Sequence, residues 1–305
     1  MNAPSTNRPK KVLITGSSGF TARYLREDLT LLGYSVEGIT AKPDSQSRND
    51  WEHYADLNNL ETLRSVIAQI RPNYVIHLAG ISSVTHADST ALYQINVEGT
   101  LNLLSILQEE SIPVEKIILS SSAYVYGNKS SITEETCPKP LTHYAMSKLS
   151  MEYMAQGLYE NLPIIITRPC NYTGIGQPNS FLIPKILYHF SNRLSTIHLG
   201  NTHVYREFND VRTVSKAYCG ILEKATIGTT INICTGKAYC LEEILDLFTR
   251  ISGHTIETII NPAFIRKNDA PFLSADPSLL NTIVPNLPNY SLEDTLNWMF
   301  GSEKQ

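Results

Sequence analysis

An excess of charge of either sign is missing from this chain of 305 residues. Lys and Arg number 25 against 29 Asp and Glu, a formal net charge of -4 with His neutral. That balance gives no pull toward a nucleic acid, and no basic patch is dense enough to supply one locally. No apolar run approaches the ~20 residues that a membrane helix needs. The first ten residues, MNAPSTNRPK, lack the apolar stretch of a signal peptide and read as a frayed leader. Cysteine is scarce and unpatterned. Cys137, Cys170, Cys219, Cys234 and Cys240 form no CxxC and no metal-like spacing, and their odd number argues against a complete disulfide framework. They read as small buried hydrophobes in a reducing compartment, the cytoplasm, with no metal expected. Charged residues at 18% against 42% apolar fit a globular chain. The length suits one large domain with or without a smaller lobe.

What is present is alternation. Short apolar runs at 11–15, 35–40, 74–78, 116–120 and 163–168 read as strands. Between them, 20–32, 59–70, 91–110 and 144–160 have helical spacing, with Gly33 and Arg71-Pro72 as stops. Continuous apolar strands alternating with helices predict a parallel sheet covered on both faces, and right-handed crossovers make it doubly wound. Beyond Arg168 the pattern loosens. The segments 211–224 and 230–234 look like a return to the main sheet, and 241–251 and 291–300 are helical. The expected architecture is an α/β Rossmann fold with a smaller α/β C-terminal lobe. The cofactor domain takes 1–169 plus about 205–235, and the lobe takes about 170–204 plus 236–305.

Gly16-Ser17-Ser18-Gly19-Phe20-Thr21-Ala22 joins the first strand to the first helix. Glycine lets the backbone approach a pyrophosphate, and the helix N-terminus supplies N–H donors and partial positive charge. Placed after a strand and opening a helix, this marks a dinucleotide site. An acid at the end of the second strand would bond the adenosine ribose and favour NAD. The residues there are Gly38-Ile39-Thr40-Ala41-Lys42, with no acid before Asp44. Thr40 and Lys42, with Arg48 as a looser candidate, suit a 2′-phosphate. NADP(H) is therefore preferred, with NAD(H) as the alternative.

Tyr144 and Lys148 are four apart and share one helix face. A lysine ammonium beside the phenol is expected to lower its pKa and make it a usable acid or base. The fourth strand ends in Ser120-Ser121-Ser122, at the carboxyl edge where such sheets bind ligands. A hydroxyl there polarises the same substrate oxygen. Ser122, Tyr144 and Lys148 are the candidate catalytic residues, and Lys148 also suits the nicotinamide ribose.

Together these segments resemble the extended short-chain dehydrogenase/reductases, in the branch that modifies nucleotide-diphosphate sugars. The motifs are GSSGFTA at 16–22, ADL at 55–57, HLAG at 77–80, NVEGT at 96–100, SSSAYVYG at 120–127, YAMSK at 144–148 and RPCNYTG at 168–174. The resemblance implies that Gly16, Ser18, Gly19, Phe20 and Thr21 hold the pyrophosphate. It puts Asp56 and Leu57 at the adenine, has Leu78, Ala79, Gly80 and Ser120 line the cofactor, and sets Pro169 by the nicotinamide. Later segments, at 173–186, 205–218 and 266–280, are similar to the GDP-4-keto-6-deoxy-D-mannose reductases and their dehydratase relatives. By that likeness Asn171 and Asn179 lie near the sugar-phosphate linkage, Arg206 and Arg266 take the diphosphate, and Ser82, Ser83 and Ser122 face the sugar.

The implied activity is NADPH-dependent reduction of a 4-keto-6-deoxy-hexose nucleotide, most simply GDP-linked. A 4,6-dehydratase needs acids after the Ser122 position, where this chain has Ala123 and Tyr124. A 4-epimerase is the rival, and a non-catalytic NADP-sensing regulator the more distant one. A homodimer through the helices beginning at Ala91 and Tyr144 is expected of the family.

Overall fold

The computed structural model describes residues 9–41, 50–82, 88–129, 131–265 and 270–303. The chain opens with β1 (Lys11–Thr15), α1 (Phe20–Leu31), β2 (Ser35–Thr40), β3 (Glu52–Tyr54), α2 (Leu60–Ile70) and β4 (Tyr74–His77). Then come α3 (Ser89–Tyr93), a π turn (Gln94–Glu98) and α4 (Gly99–Glu109), which follow one another without a break. The single helix expected at 91–110 is thus widened in its middle by one π turn. Next are β5 (Lys116–Ser120), α5 (His143–Gln156), β6 (Ile164–Pro169) and β7 (Tyr172–Thr173). Asn59 and Thr142 cap α2 and α5 by accepting from Thr62 N and Ala145 N, which fixes where each helix starts. Gly157 ends α5 three residues before the expected stop.

The second half holds α6 (Leu182–Ser191), β8 (Thr196–Leu199), β9 (Tyr205–Glu207), β10 (Asn209–Asp210), α7 (Val211–Lys224) and β11 (Thr230–Ile233). It continues with β12 (Ala238–Tyr239), α8 (Leu241–Ser252), β13 (Glu257–Ile260), β14 (Phe272–Leu273), α9 (Ser278–Ile283) and α10 (Leu292–Ser302). Helix α6 was not anticipated. Its run Leu182-Ile183-Pro184 follows a stretch rich in Pro, Gly and Asn that reads as loop.

The main sheet has seven parallel strands in the order β11-β6-β5-β4-β1-β2-β3. The Rossmann-like expectation therefore holds. Side-chain alternation explains why helices cover both faces. Val12 and Ile14 pack with Leu25, Val214 and Ile221 of α1 and α7 on one face. Leu13, Val75 and Leu119 pack with Leu63, Ile67, Leu103 and Met151 of α2, α4 and α5 on the other. After β3 the chain returns to the far side of β1 as β4, so the strand order reverses between β1 and β4, which opens a crevice at their carboxyl ends. A separate apolar core joins α6, α8 and α10 through Ile183, Ile186, Phe190, Leu247, Phe248 and Leu296. Strands β9, β12 and β14 form a small sheet beside it, and β8 pairs with β13.

Candidate active site

The glycine loop leaves β1 into the crevice. Gly16 has φ +72°, and a Cβ there would stand 2.9 Å from the Ala79 Cα and N. Only glycine permits both that conformation and that approach. Gly19 is the N-cap of α1 and offers no side-chain acceptor, and the first turn carries no acid. The leading N–H groups of α1 are thus open to an anion, as a pyrophosphate cradle requires. Ser18 Oγ lies 3.0 Å from Thr40 Oγ1, so the loop and the end of β2 meet. Thr21 lies 2.8 Å from the Tyr172 hydroxyl, and the Phe20 and Tyr172 rings stack at 6.1 Å. Tyr172 thus joins the site, although its only sequence signal was its place in RPCNYTG.

The region expected to hold the adenosine differs from expectation in one respect. Strand β3, too short to be legible in the sequence, sets Glu52 against Gly38 in register, and the Ser17 hydroxyl donates to Glu52 Oε1 at 2.6 Å. An acid does reach this region, delivered by the next strand over. Asp56 is exposed and accepts from Asn58 N, while Leu57 is buried against Gly99. Lys42 and Arg48 lie outside the described residues, as do Ser83 and Arg266.

Ser122, Tyr144 and Lys148 converge at the carboxyl edge of the sheet, all buried. Ser122 ends the segment after β5, and its Oγ accepts from Tyr124 N at 3.3 Å. Burial pushes the Tyr144 phenol up to about 12, and the Ser122 hydroxyl beside it opposes that rise. Burial pulls the Lys148 ammonium down to about 8, with the Glu152 carboxylate, one turn further along α5, acting against it. Lys148 Nζ donates to the Ser120 carbonyl at 2.7 Å. The expectation of an ammonium lowering the phenol pKa is therefore corrected. One ammonium hydrogen goes to a backbone carbonyl, and burial is the larger influence on the phenol. Glu152 is itself paired with Arg168 of β6 at 3.0 Å and 2.5 Å, both buried.

Asn96, in the π turn, is a residue whose role the sequence reading missed. Its Oδ1 accepts from Ile81 N at 2.8 Å and its Nδ2 donates to Ser147 Oγ at 3.0 Å. It thereby ties the segment after β4 to the catalytic helix. A Cβ on Gly80 would meet Asn96 Oδ1 at 2.8 Å and Lys148 Nζ at 3.3 Å, so Gly80 brings bare backbone against the ammonium. Pro169 is buried at the end of β6, and Leu78 and Ala79 are half-buried after β4.

The candidate substrate residues are more scattered. Ser82 and Asn179 are exposed, and Asn171 is half-buried with its carbonyl accepting from Asn209 N at 2.9 Å. Arg206 is buried in β9, and its guanidinium donates to the Tyr205 and Ala270 carbonyls at 2.7 Å and 2.5 Å. It holds β9 to the chain entering β14, a structural duty that the sequence does not reveal.

The sequence profile of the NAD dependent epimerase/dehydratase family matches residues 12–234. The chain is 32% identical over 282 residues to GDP-6-deoxy-D-talose 4-dehydrogenase of Aggregatibacter actinomycetemcomitans, covering 90% of this chain and 92% of that protein. It is 30% identical to GDP-6-deoxy-D-mannose reductase of Pseudomonas aeruginosa, over 85% of each chain. Among solved structures it is similar to a protein of Burkholderia cenocepacia J2315 provisionally called an epimerase. That likeness has 38% identity and a TM-score of 0.90, and covers 98% of this chain and 99% of the other. RMD from Pseudomonas aeruginosa complexed with NADPH superposes with a TM-score of 0.85 at 26% identity, over 97% and 99% of the two chains.

Proposed function

The chain belongs to the NAD dependent epimerase/dehydratase family, and from that premise we propose that it is an NADPH-dependent 4-ketoreductase of a GDP-linked 4-keto-6-deoxy-hexose. That it modifies a nucleotide sugar is common to the family and its relatives. What stands beside the phenol sets a dehydratase aside. Ser122 is followed by buried Ala123 and by Tyr124, whose ring meets Tyr144 edge-on at 6.3 Å. Water elimination needs a carboxylate in that place, and among the described residues none perturbs Tyr144. Relatives named for GDP-6-deoxy-talose and GDP-6-deoxy-mannose support the nucleotide and the 6-deoxy sugar.

The residues fit the cofactor through the glycine cradle, the uncapped α1 N-terminus and Lys148. NADPH, when bound, supplies the hydride for the keto carbon. Tyr144, neutral up to about pH 12, gives its phenolic proton to the oxygen becoming a hydroxyl. Ser122 donates to the same oxygen and holds it near the phenol. Lys148, anchored on Ser120, places positive charge by the tyrosinate that remains. In this reading Thr40, Ser18 and Lys42 are assigned to the 2′-phosphate, and Asn171, Asn179, Arg206 and Arg266 to the diphosphate end of the sugar nucleotide. The separate core of α6, α8 and α10 supports assigning that end to a distinct C-terminal lobe. The exposed Met146, Tyr153 and Met154 on α5 support a homodimer through that helix. The free cysteines, four of five buried, suit the cytoplasm.

A 4-epimerase is the second reading, and Glu52 of β3, which accepts from Ser17 of the glycine loop, favours it by favouring NAD. A panel of 4-keto nucleotide sugars with NADPH and NADH, followed at the nicotinamide absorbance, separates the two. A ketoreductase oxidises one NADPH per GDP-4-keto sugar consumed. Retained NAD, with 4-hydroxy sugars interconverting and no net cofactor turnover, overturns it.

A further inference from the structure

His77 closes β4 and is buried among polar partners on both sides of its ring. Thr15 Oγ1 lies 2.7 Å from Nδ1, and Thr100 Oγ1 lies 2.9 Å from Nε2. Counting protons assigns every bond. A threonine hydroxyl has one proton, and that of Thr100 goes to the Asn96 carbonyl at 2.8 Å. Thr100 Oγ1 therefore accepts at His77, and Nε2 carries the hydrogen. Nδ1 of a neutral ring is then an acceptor and takes the Thr15 proton. Thr15 Oγ1 in turn accepts from the Ala79 backbone N–H at 3.2 Å. The result is a chain with a single direction: Ala79 N–H to Thr15, Thr15 to His77, His77 to Thr100, Thr100 to the Asn96 carbonyl.

Each end of the chain is occupied. Ala79 is the backbone against which Gly16 packs at the cofactor cradle. Asn96 sits in the π turn, and its side chain continues through Ser147 Oγ to the Tyr144 carbonyl at 2.8 Å. We propose that His77 is a positioning residue, held as the Nε2–H tautomer, which locks the cofactor-facing backbone to the π turn and through it to the catalytic helix. Thr15, His77, Asn96 and Thr100 are all at most 2% exposed, so water does not compete for these bonds. Burial and the nearby Lys148 charge hold the ring down at about 3, which keeps it neutral through the working range. A charged ring would donate at both nitrogens and take away the acceptor that the Thr15 proton has on Nδ1.

The first test is a long-range proton–nitrogen NMR spectrum of the full chain labelled at histidine, with His77→Asn to assign the signal. The expected pattern is Nε2–H, unchanged between about pH 5 and 8. An Nδ1–H pattern, or titration in that window, overturns the proposal. The second test cuts the chain on either side of the ring. Thr15→Val should weaken NADPH binding roughly threefold to tenfold, the worth of one hydrogen bond, with kcat less affected. Thr100→Val should lower kcat by a similar factor with cofactor affinity kept, and Thr100→Ser should restore it. Both variants shifting both parameters alike, or Thr100→Ser failing to restore kcat, would reduce the threonines to plain packing and overturn the proposal. The kcat arm rests on the ketoreductase reading. The NMR and cofactor titrations use no sugar, so they stand or fall independently of it.

Discussion

Lys148, one turn after Tyr144 on α5, donates to the Ser120 carbonyl, 2.7 Å from its Nζ. Two groups four apart on one helix face thus divide their work. The phenol has Ser122 beside it, and the ammonium is anchored at the end of β5, two residues before Ser122.

A pH dependence follows from that burial. The Lys148 pKa is lowered to about 8 in the folded chain from 10.5. Between those values the unfolded chain binds the proton and the folded chain does not, so this group adds stability as pH rises across the window. Below about 8 both states are charged and the full cost of the buried charge is present. In the proposed keto reduction the ammonium steadies the tyrosinate, so kcat should fall as pH rises through about 8, while Tyr144 keeps its proton to about 12. A kcat profile at saturating substrate checks it. A flat profile from about pH 7 to 10 would show that the charge is not required.

Tyr144→Phe removes one hydroxyl and nothing else from a buried ring. The fold and NADPH binding should persist while turnover drops by roughly 10²- to 10⁴-fold. Steady-state rates beside a cofactor titration measure both. Turnover within about a factor of two of wild type would assign the proton to another donor.

Gly16→Ala should abolish cofactor binding without unfolding the sheet. Its Cβ would press to 2.9 Å on the Ala79 backbone at φ +72°, and neither atom set has a flexible end to yield. Calorimetric titration of NADPH is the measurement, with the far-ultraviolet circular dichroism spectrum as control. Wild-type affinity in a folded variant would place the cofactor elsewhere.

Arg206→Ala should cost both stability and sugar-nucleotide affinity. Loss of the guanidinium leaves the Tyr205 and Ala270 carbonyls without its bonds, at roughly 1–3 kcal/mol for each buried acceptor left unsatisfied. Thermal unfolding and substrate KM are read together. An unchanged melting temperature with a raised KM would make Arg206 a ligand contact alone.

The sequence by itself determined the elements that local rules govern. Five of the strands that build the main sheet are short, largely apolar runs of four to six residues, and α1 is bounded by glycines, so the doubly wound sheet was legible. So were the glycine loop and the Tyr144–Lys148 spacing, because both are set within one or two turns of chain. What lay outside local rules came from the tertiary structure. Strand β3 is three residues long and exists because β2 offers it an edge, and that pairing is what brings Glu52 to Ser17. The π turn is invisible as periodicity, yet it sets Asn96 between Ile81 and Ser147. Helix α6 is apolar on the face that meets α8 and α10, a match only their packing reveals. The charges were decided last. The Tyr144 and Lys148 pKa values, the pairing of Glu152 with Arg168 and the backbone bonds of Arg206 depend on burial and on partners far along the chain. Residue spacing does not encode desolvation; the folded interior imposes it.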